Sequence, residues 1–100
     1  MGEPMYIRQT ETESIQGDRI ILYYFTVEKR KPSGREEIFR YGVGIDMYTQ
    51  LPGERTLKER KITEDIFATK REAEKFIDML CRCVVTPVAL EDVVADNVIA

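Results

Sequence analysis

Residues 19–29 read RIILYYFTVEK, and this stretch decides the fold because β-branched and aromatic side chains dominate it. Such residues favour extended backbone, so the stretch predicts a β-strand. Alternation along a strand places Ile21 and Tyr23 on one face and Leu22 and Tyr24 on the other. Both faces are apolar, which is typical of a strand that lies in the middle of a sheet and is covered on both sides.

The sequence on either side predicts antiparallel partners for this strand. Residues 5–13 have the pattern of a weak strand that comes before it. Residues 31–34 read KPSG and predict a hairpin turn, because Pro32 suits the second turn position and Gly34 accepts a positive φ. In residues 37–50, which follow, apolar and polar side chains alternate as they do in a strand with one buried face.

A second turn and a fourth strand complete the predicted sheet. Residues 51–54 read LPGE, which suits a type II turn with Pro52 and Gly53 at its central positions. Residues 55–62 come next and are rich in Lys, Arg and Glu. Such a composition protects an edge strand from pairing with other chains. The sequence therefore predicts a meander of three to four strands.

After the predicted strands, the apolar pattern takes the period of a helix. Residues 69–72 read TKRE, a capping box in which Thr69 and Glu72 satisfy each other's backbone N–H groups. A single apolar stripe with spacings of three and four follows, made of Ala73, Phe76, Ile77, Leu80 and Val84. We predict a helix over residues 70–83 that packs on the sheet face running from Phe39 to Met47.

Thr86 and Pro87 predict the start of a second helix, with Thr86 as N-cap and Pro87 at the first helical position. Its apolar stripe consists of Leu90, Val93, Val94 and Val98. A helix this short is unstable alone, so it either completes the core or presents its stripe to a partner. The predicted fold is a single α+β domain over residues 1–100. It is an antiparallel β-meander of three to four strands with one amphipathic helix packed on one face and a short C-terminal helix.

The composition excludes several functional classes. The chain has 100 residues, with 15 Lys and Arg, 18 Asp and Glu, no His and a net charge of −3. Without His, neither a Ser-His-Asp nor a Cys-His nucleophile system can be built. We therefore expect no enzyme and no cofactor. The longest apolar run, residues 20–25, is too short to cross a membrane, and residues 1–4 show no signal peptide. A cytoplasmic location without a membrane partner is predicted.

The two cysteines do not predict a metal site. Cys81 and Cys83 are two positions apart on the predicted helix, so their side chains point away from each other. A structural zinc site needs four ligands, and the sequence has no other Cys and no His. We expect neither a metal nor a disulfide, and two thiols fit a reducing compartment.

Gly42 and Gly44 remove side chains from one patch of the predicted sheet. The patch is either a shallow ligand slot flanked by Arg40 and Asp46, or a place where an aromatic ring such as Tyr24 lies over the backbone. The second interpretation is favoured, because glycines in strands usually mark bulges or close approaches.

Basic residues crowd the tip of the first predicted hairpin: Lys29, Arg30, Lys31 and Arg35. A basic tip on a sheet with five tyrosines is compatible with weak nucleic-acid binding. Glutamates in the same region and a sequence pI near 5.0 favour an ordinary solvated surface instead.

The C-terminal third carries a resemblance. Residues 85–96 read VTPVALEDVVAD and follow an amphipathic helix, while residues 41–45 read YGVGI in a predicted strand. With these motifs, residues 19–98 resemble a family of short Gram-positive bacterial proteins that is defined only as a domain of unknown function. The resemblance implies a small bacterial cytoplasmic protein and transfers no catalytic residue, cofactor or partner.

The leading hypothesis is a non-enzymatic protein-interaction or regulatory module that acts through its sheet face or its terminal helix. In the second case Leu90, Val93, Val94 and Val98 bind the partner, which is another protein or a second copy of the chain. One alternative is a weak nucleic-acid binder that uses Lys29, Arg30, Lys31 and Arg35. A second alternative is a small enzyme with carboxylate or Tyr chemistry.

Overall fold

In the computed structural model, which describes residues 5–99, four antiparallel strands form one sheet in the order β1-β2-β3-β4. The elements in chain order are β1 Arg8–Glu13, β2 Arg19–Ser33, β3 Glu36–Leu51, β4 Glu54–Phe67, α1 Lys70–Arg82 and α2 Leu90–Val94. The predicted α+β class and antiparallel meander are confirmed, with four strands. Residues 1–4, on which the signal-peptide prediction rests, and Ala100 lie outside the described residues. None of the helices in residues 5–99 combines the length and apolar character of a membrane span.

Strand β2 is the centre of the sheet, as its sequence predicts. It pairs with β1 on one side and β3 on the other, and residues 21–25 are all buried. Leu22 and Tyr24 point toward the helices and belong to the main core. Tyr23, together with its odd-numbered neighbours in β2, points to the opposite side. We call this side of the sheet, away from the helices, the open face.

The core lies between the other side of the sheet and the C-terminal third of the chain. Its buried residues are Leu22, Tyr24, Val43, Ile45, Ala73, Phe76, Ile77, Leu80, Val85, Leu90 and Val94. The Tyr24 hydroxyl donates a hydrogen bond to the Val85 carbonyl oxygen at 2.9 Å, which ties the segment after α1 to the sheet. Burial raises the pKa of Tyr24 above its usual value. Leu90 and Val94 are therefore core residues in this fold.

The first hairpin is longer than predicted. Its turn lies at Gly34 and Arg35, while Pro32 is inside β2 and pairs with Glu37. Of the two turn residues only Gly34 has a positive φ, at 63°, which matches the two-residue turns that fit the twist of paired strands. The hairpin consequently extends past the core, and Phe39, predicted to lie under the helix, is exposed.

The second turn and the start of α1 agree with the sequence. Pro52 and Gly53 form the turn between β3 and β4, and Gly53 has a φ of 75°. The Thr69 side chain caps α1 by accepting the backbone N–H of Glu72 at 3.2 Å. A 3₁₀ turn over Pro87–Ala89 leads into α2, and a π-helical turn over Ala95–Ile99 follows it. Thr86 precedes the 3₁₀ turn without a side-chain cap.

The end of α1 carries backbone strain. Val84 has a φ of 52°, in the left-handed region that favours glycine. There its N–H bonds the Cys81 carbonyl at 3.1 Å and the Val85 N–H bonds the Leu80 carbonyl at 2.9 Å. Such a helix ending usually has Gly at the position of Val84. Val84 is exposed instead of completing the apolar stripe of α1 as predicted.

Replacing the strained valine should stabilise the protein. Val84→Gly is expected to raise the free energy of unfolding by about 1 kcal/mol, because a side chain in this conformation costs about 1–2 kcal/mol. Val88→Gly is the matched control, since Val88 is 80% exposed and its φ is not positive. Urea denaturation should show stabilisation for Val84→Gly and mild destabilisation for the control. A lower free energy of unfolding for Val84→Gly than for the unaltered chain would contradict the claim that Val84 is strained.

Truncation of Phe76 tests whether its side chain packs in the core. Phe76 is buried and its ring centroid lies 5.4 Å from that of Phe67. Phe76→Ala is expected to cost about 3–5 kcal/mol of stability, as buried aromatic truncations do, whereas Val88→Ala at the exposed position should cost little. A loss below about 1 kcal/mol in urea denaturation would mean that Phe76 is not a core residue.

Candidate functional site

The open face carries a completely buried acid, Asp46 in β3, which is 0% exposed. Arg60 of β4 donates two hydrogen bonds to it, from Nε to Oδ1 at 2.6 Å and from Nη2 to Oδ2 at 2.8 Å. The Tyr6 hydroxyl donates a third to Oδ2 at 2.6 Å. A buried carboxylate is tolerated when it is paired and hydrogen-bonded in this way.

Strand register brings most of this cluster together. Asp46 is directly opposite Tyr23 of β2 and Arg60 of β4. Directly opposed residues in antiparallel strands share a face, so all three side chains lie on the open face. Tyr6 comes from the segment before β1, which the sequence predicted as part of a weak strand. The available signal was Asp46 itself, since aspartate is depleted in strands.

The Tyr6 ring covers the aromatic side chains of Tyr23 and Phe25 on the open face. This ring stacks on that of Tyr23, with centroids 4.4 Å apart and planes at 21°, and lies 5.9 Å from that of Phe25. The Tyr48 ring meets Tyr23 edge-on at 5.5 Å. This layer explains why Tyr23 and Phe25 are buried on the side of the sheet away from the helices.

Tyr6 and Arg60 both have raised pKa values in this cluster. Burial, followed by the hydrogen bonds with Asp46 and Tyr48, raises the pKa of Tyr6 above its usual value. The hydrogen bonds to Asp46 raise the pKa of Arg60. Tyr6 is therefore a hydrogen-bond donor at neutral pH, and both oxygens of Asp46 are engaged. The arrangement anchors the N-terminal segment to the sheet.

Arginine and aliphatic side chains form the solvent-facing part of the open face near β4. Arg55 donates to the Tyr23 hydroxyl at 2.5 Å, and its guanidinium carbon lies 5.5 Å from the Tyr23 ring centroid and 6.0 Å from that of Tyr48. Leu57 and Ile62, directly opposite Tyr48 and Gly44, are 42% and 40% exposed. We call Tyr48, Arg55, Leu57, Arg60 and Ile62 the β4 patch.

The glycine-bearing part of the open face is filled. A Cβ atom on Gly44 would lie 2.3 Å from the Phe25 ring, and one on Gly42 would lie 1.9 Å from the Thr63 carbonyl oxygen. The backbone interpretation of both glycines is thereby supported, although the ring is Phe25. Tyr24 was the expected ring, but its side chain points toward the helices. The proposed slot between Arg40 and Asp46 is occupied by the protein itself.

Acids from an irregular part of β4 meet the basic hairpin. The pairing of β3 with β4 shifts between Tyr41 and Val43, and Asp65 adopts a φ of 61° there. Asp65 bonds Arg40 Nε at 2.7 Å and also pairs with Lys31. The hydrogen bonds from Lys31 and then Arg40 lower the pKa of Asp65.

The basic quartet consists of the four basic residues near the hairpin tip, which are Lys29, Arg30, Lys31 and Arg35. Two more of its members also form ion pairs. Lys29 lies 3.4 Å from a carboxylate oxygen of Glu64, and Arg30 lies 3.6 Å from one of Glu37. Within residues 5–99, Arg35 is the member of the quartet without an ion pair. Glu64 and Asp65 were missed by sequence reasoning, because β4 was expected to end at residue 62.

The four residues predicted to bind a partner through the terminal helix differ in burial. Leu90 and Val94 are 0% and 2% exposed in the core, so they form no free surface. Val93 and Val98 are half-buried against it, and Val98 lines a groove of about 490 Å³ beside Phe76.

The cysteines are free, and Cys81 is half-buried while Cys83 is exposed. Burial raises the pKa of the Cys81 thiol. In the part of the chain that the structure describes, no three acidic, Cys or His side chains gather as a possible metal site.

The hydroxyl of Tyr6 should matter more than that of Tyr48. Tyr6→Phe removes a hydrogen bond to a buried charge and is expected to cost about 1.5–3 kcal/mol of stability. Tyr48→Phe removes only the contact between the two hydroxyl oxygens at 3.2 Å and should cost about 0.5–1.5 kcal/mol. Urea denaturation of both variants measures the difference, and equal losses would contradict the anchoring role of Tyr6.

Comparison with known proteins gave a match to a family model. No curated protein and no solved structure matches the chain. The model of a family of unknown function, DUF6514, matches residues 4–100. This match confirms the resemblance to a domain of unknown function noted from the sequence: the chain belongs to the family DUF6514.

Proposed function

We propose that the protein is a non-enzymatic interaction module that binds a protein partner through the β4 patch of the open face. The observation that carries this proposal is the pair of guanidiniums of Arg55 and Arg60, held over aromatic rings beside the exposed side chains of Leu57 and Ile62. Arginine and aromatic residues are enriched where protein interfaces derive most of their affinity.

The patch is also preorganised for binding. Arg60 is fixed by two bonds to Asp46, and Arg55 is fixed by Tyr23 and by a bond to the Gln50 side-chain oxygen at 3.1 Å. Side chains that are already ordered lose less conformational entropy when a partner binds. The open face is therefore a better candidate than the terminal helix, whose Leu90 and Val94 are committed to the core.

Nucleic-acid binding through the hairpin is less well supported. Lys29, Arg30 and Lys31 each face a carboxylate, and the cost of breaking those ion pairs would offset the attraction to phosphate. The two free thiols support the further proposal that the module works in a reducing compartment, the bacterial cytoplasm.

A photo-crosslinking amino acid introduced at Leu57 tests the proposal in cells. We expect a discrete crosslinked protein that is lost when Arg55→Glu is added. The matched control carries the crosslinker at Arg71, an exposed position on α1, and should give no such product. Similar products from both positions would contradict the proposal. Products removed by nuclease, together with binding that weakens steeply with salt, would replace it with nucleic-acid binding.

A further inference from the structure

We infer that the partner of the open face is a second copy of this chain, bound face to face about a two-fold axis parallel to the strands. The inference rests on the proposed function, since it names the occupant of the same surface. Its basis is the distribution of charge across the sheet, which makes the open face complementary to itself.

The strand register arranges the open-face side chains in rows across the sheet. One row contains Glu13 of β1, Arg19 of β2, Gln50 of β3 and Arg55 of β4, each directly opposite the next. The row thus begins with an acid at the β1 edge and ends with a base at the β4 edge. Two rows along, Gln9 and Arg60 end the row that contains Tyr23 and Asp46.

The charged residues that end the first row are not paired with an opposite charge in the part of their own chain that the structure describes, although Arg55 is hydrogen-bonded to Tyr23 and Gln50. Both Glu13 and Arg55 are exposed, and within residues 5–99 neither forms an ion pair. The neighbouring charges are engaged in their own chain, because Glu11 pairs with Arg19 and Asp46 pairs with Arg60. One acid and one base without an ion-pair partner among the described residues are therefore carried by the two edge strands in the same row, and the Arg55 guanidinium reaches inward from β4 over the Tyr23 ring.

A two-fold axis parallel to the strands brings these charges together. Rotation by a half-turn about that axis lays β1 of one copy over β4 of the other and preserves position along the strands. Glu13 of each copy then faces Arg55 of the other, and the pair occurs twice because the interface is symmetric. An axis in the same plane but perpendicular to the strands would instead place β4 over β4, which sets bases against bases.

The β4 edge of the open face adds apolar side chains to this interface, and the rotation sets them over β1 of the other copy. The exposed side chains of Leu57 and Ile62 lie in the β4 patch beside the partly buried ring of Tyr48. Sheets that pack face to face keep their strands about 30° apart, which keeps the rows of the two copies close to alignment. The Tyr6 ring of each copy lies between the two sheets, so they stand further apart than the usual spacing of about 10 Å. The dimer has four layers, with helices outside and two sheets inside.

Charge exchange tests this arrangement by analytical ultracentrifugation of the full chain over a wide concentration range. Glu13→Arg and Arg55→Glu should each weaken self-association about tenfold or more, because each sets like charges against each other. Mixing the two single variants should restore association, since each mixed pair has only opposite charges at these positions. Arg71→Glu, on the helix side, is the control and should dimerise like the unaltered chain.

The mixture makes the result independent of any effect on folding, because a misfolded variant would not recover by mixing. Variants that dimerise as well as the unaltered chain, or a mixture no stronger than its components, would overturn the inference. If the unaltered chain stays monomeric while Leu57 crosslinks to a different protein, the inferred dimer is overturned and the proposed function stands. Absence of both dimer and crosslink would overturn both.

Discussion

The open face depends on one constraint, which is that the buried carboxylate of Asp46 must be neutralised on a side of the sheet without helices. A buried charge without partners would be strongly unfavourable. Arg60 supplies the opposite charge, and Tyr6 supplies the remaining hydrogen bond. Since the Tyr6 hydroxyl must reach Asp46, its ring is drawn across Tyr23, and the N-terminal segment becomes part of the surface of the sheet.

Features with local causes are predictable from this sequence, and features with distant causes are not. The central position of β2, the turn at Gly53 and the cap at Thr69 each follow from residues a few positions apart. The bond from Tyr6 to Asp46 joins residues 40 positions apart, and no spacing rule indicates it. The irregular end of β4 is similar, because a charged edge strand has no apolar alternation from which its pairing can be read.

The sequence indicates which types of surface could bind a partner, but it does not indicate which residues form that surface. The sequence indicates either a sheet face or a terminal stripe, and it cannot distinguish an apolar residue needed by the core from one left for a partner. A chain of 100 residues has few apolar side chains to spare for a surface. Leu90 and Val94 are therefore used in the core, and the residues left for contact are the arginines and the aliphatic side chains of β4.

The separation between Tyr6 and Asp46 also sets an order of events during synthesis. The 40 positions that separate them take about 2–8 s to be made at about 5–20 residues per second, whereas a hairpin forms in about 1–10 μs. Tyr6 therefore emerges from the ribosome those few seconds before its acceptor does. The β2–β3 hairpin closes as soon as both strands emerge, and Tyr6 docks onto a sheet that has already begun to form. Until Asp46 emerges, Tyr6 has no anchor over the aromatic side chains of β2, so a chaperone that acts on nascent chains would meet these side chains first.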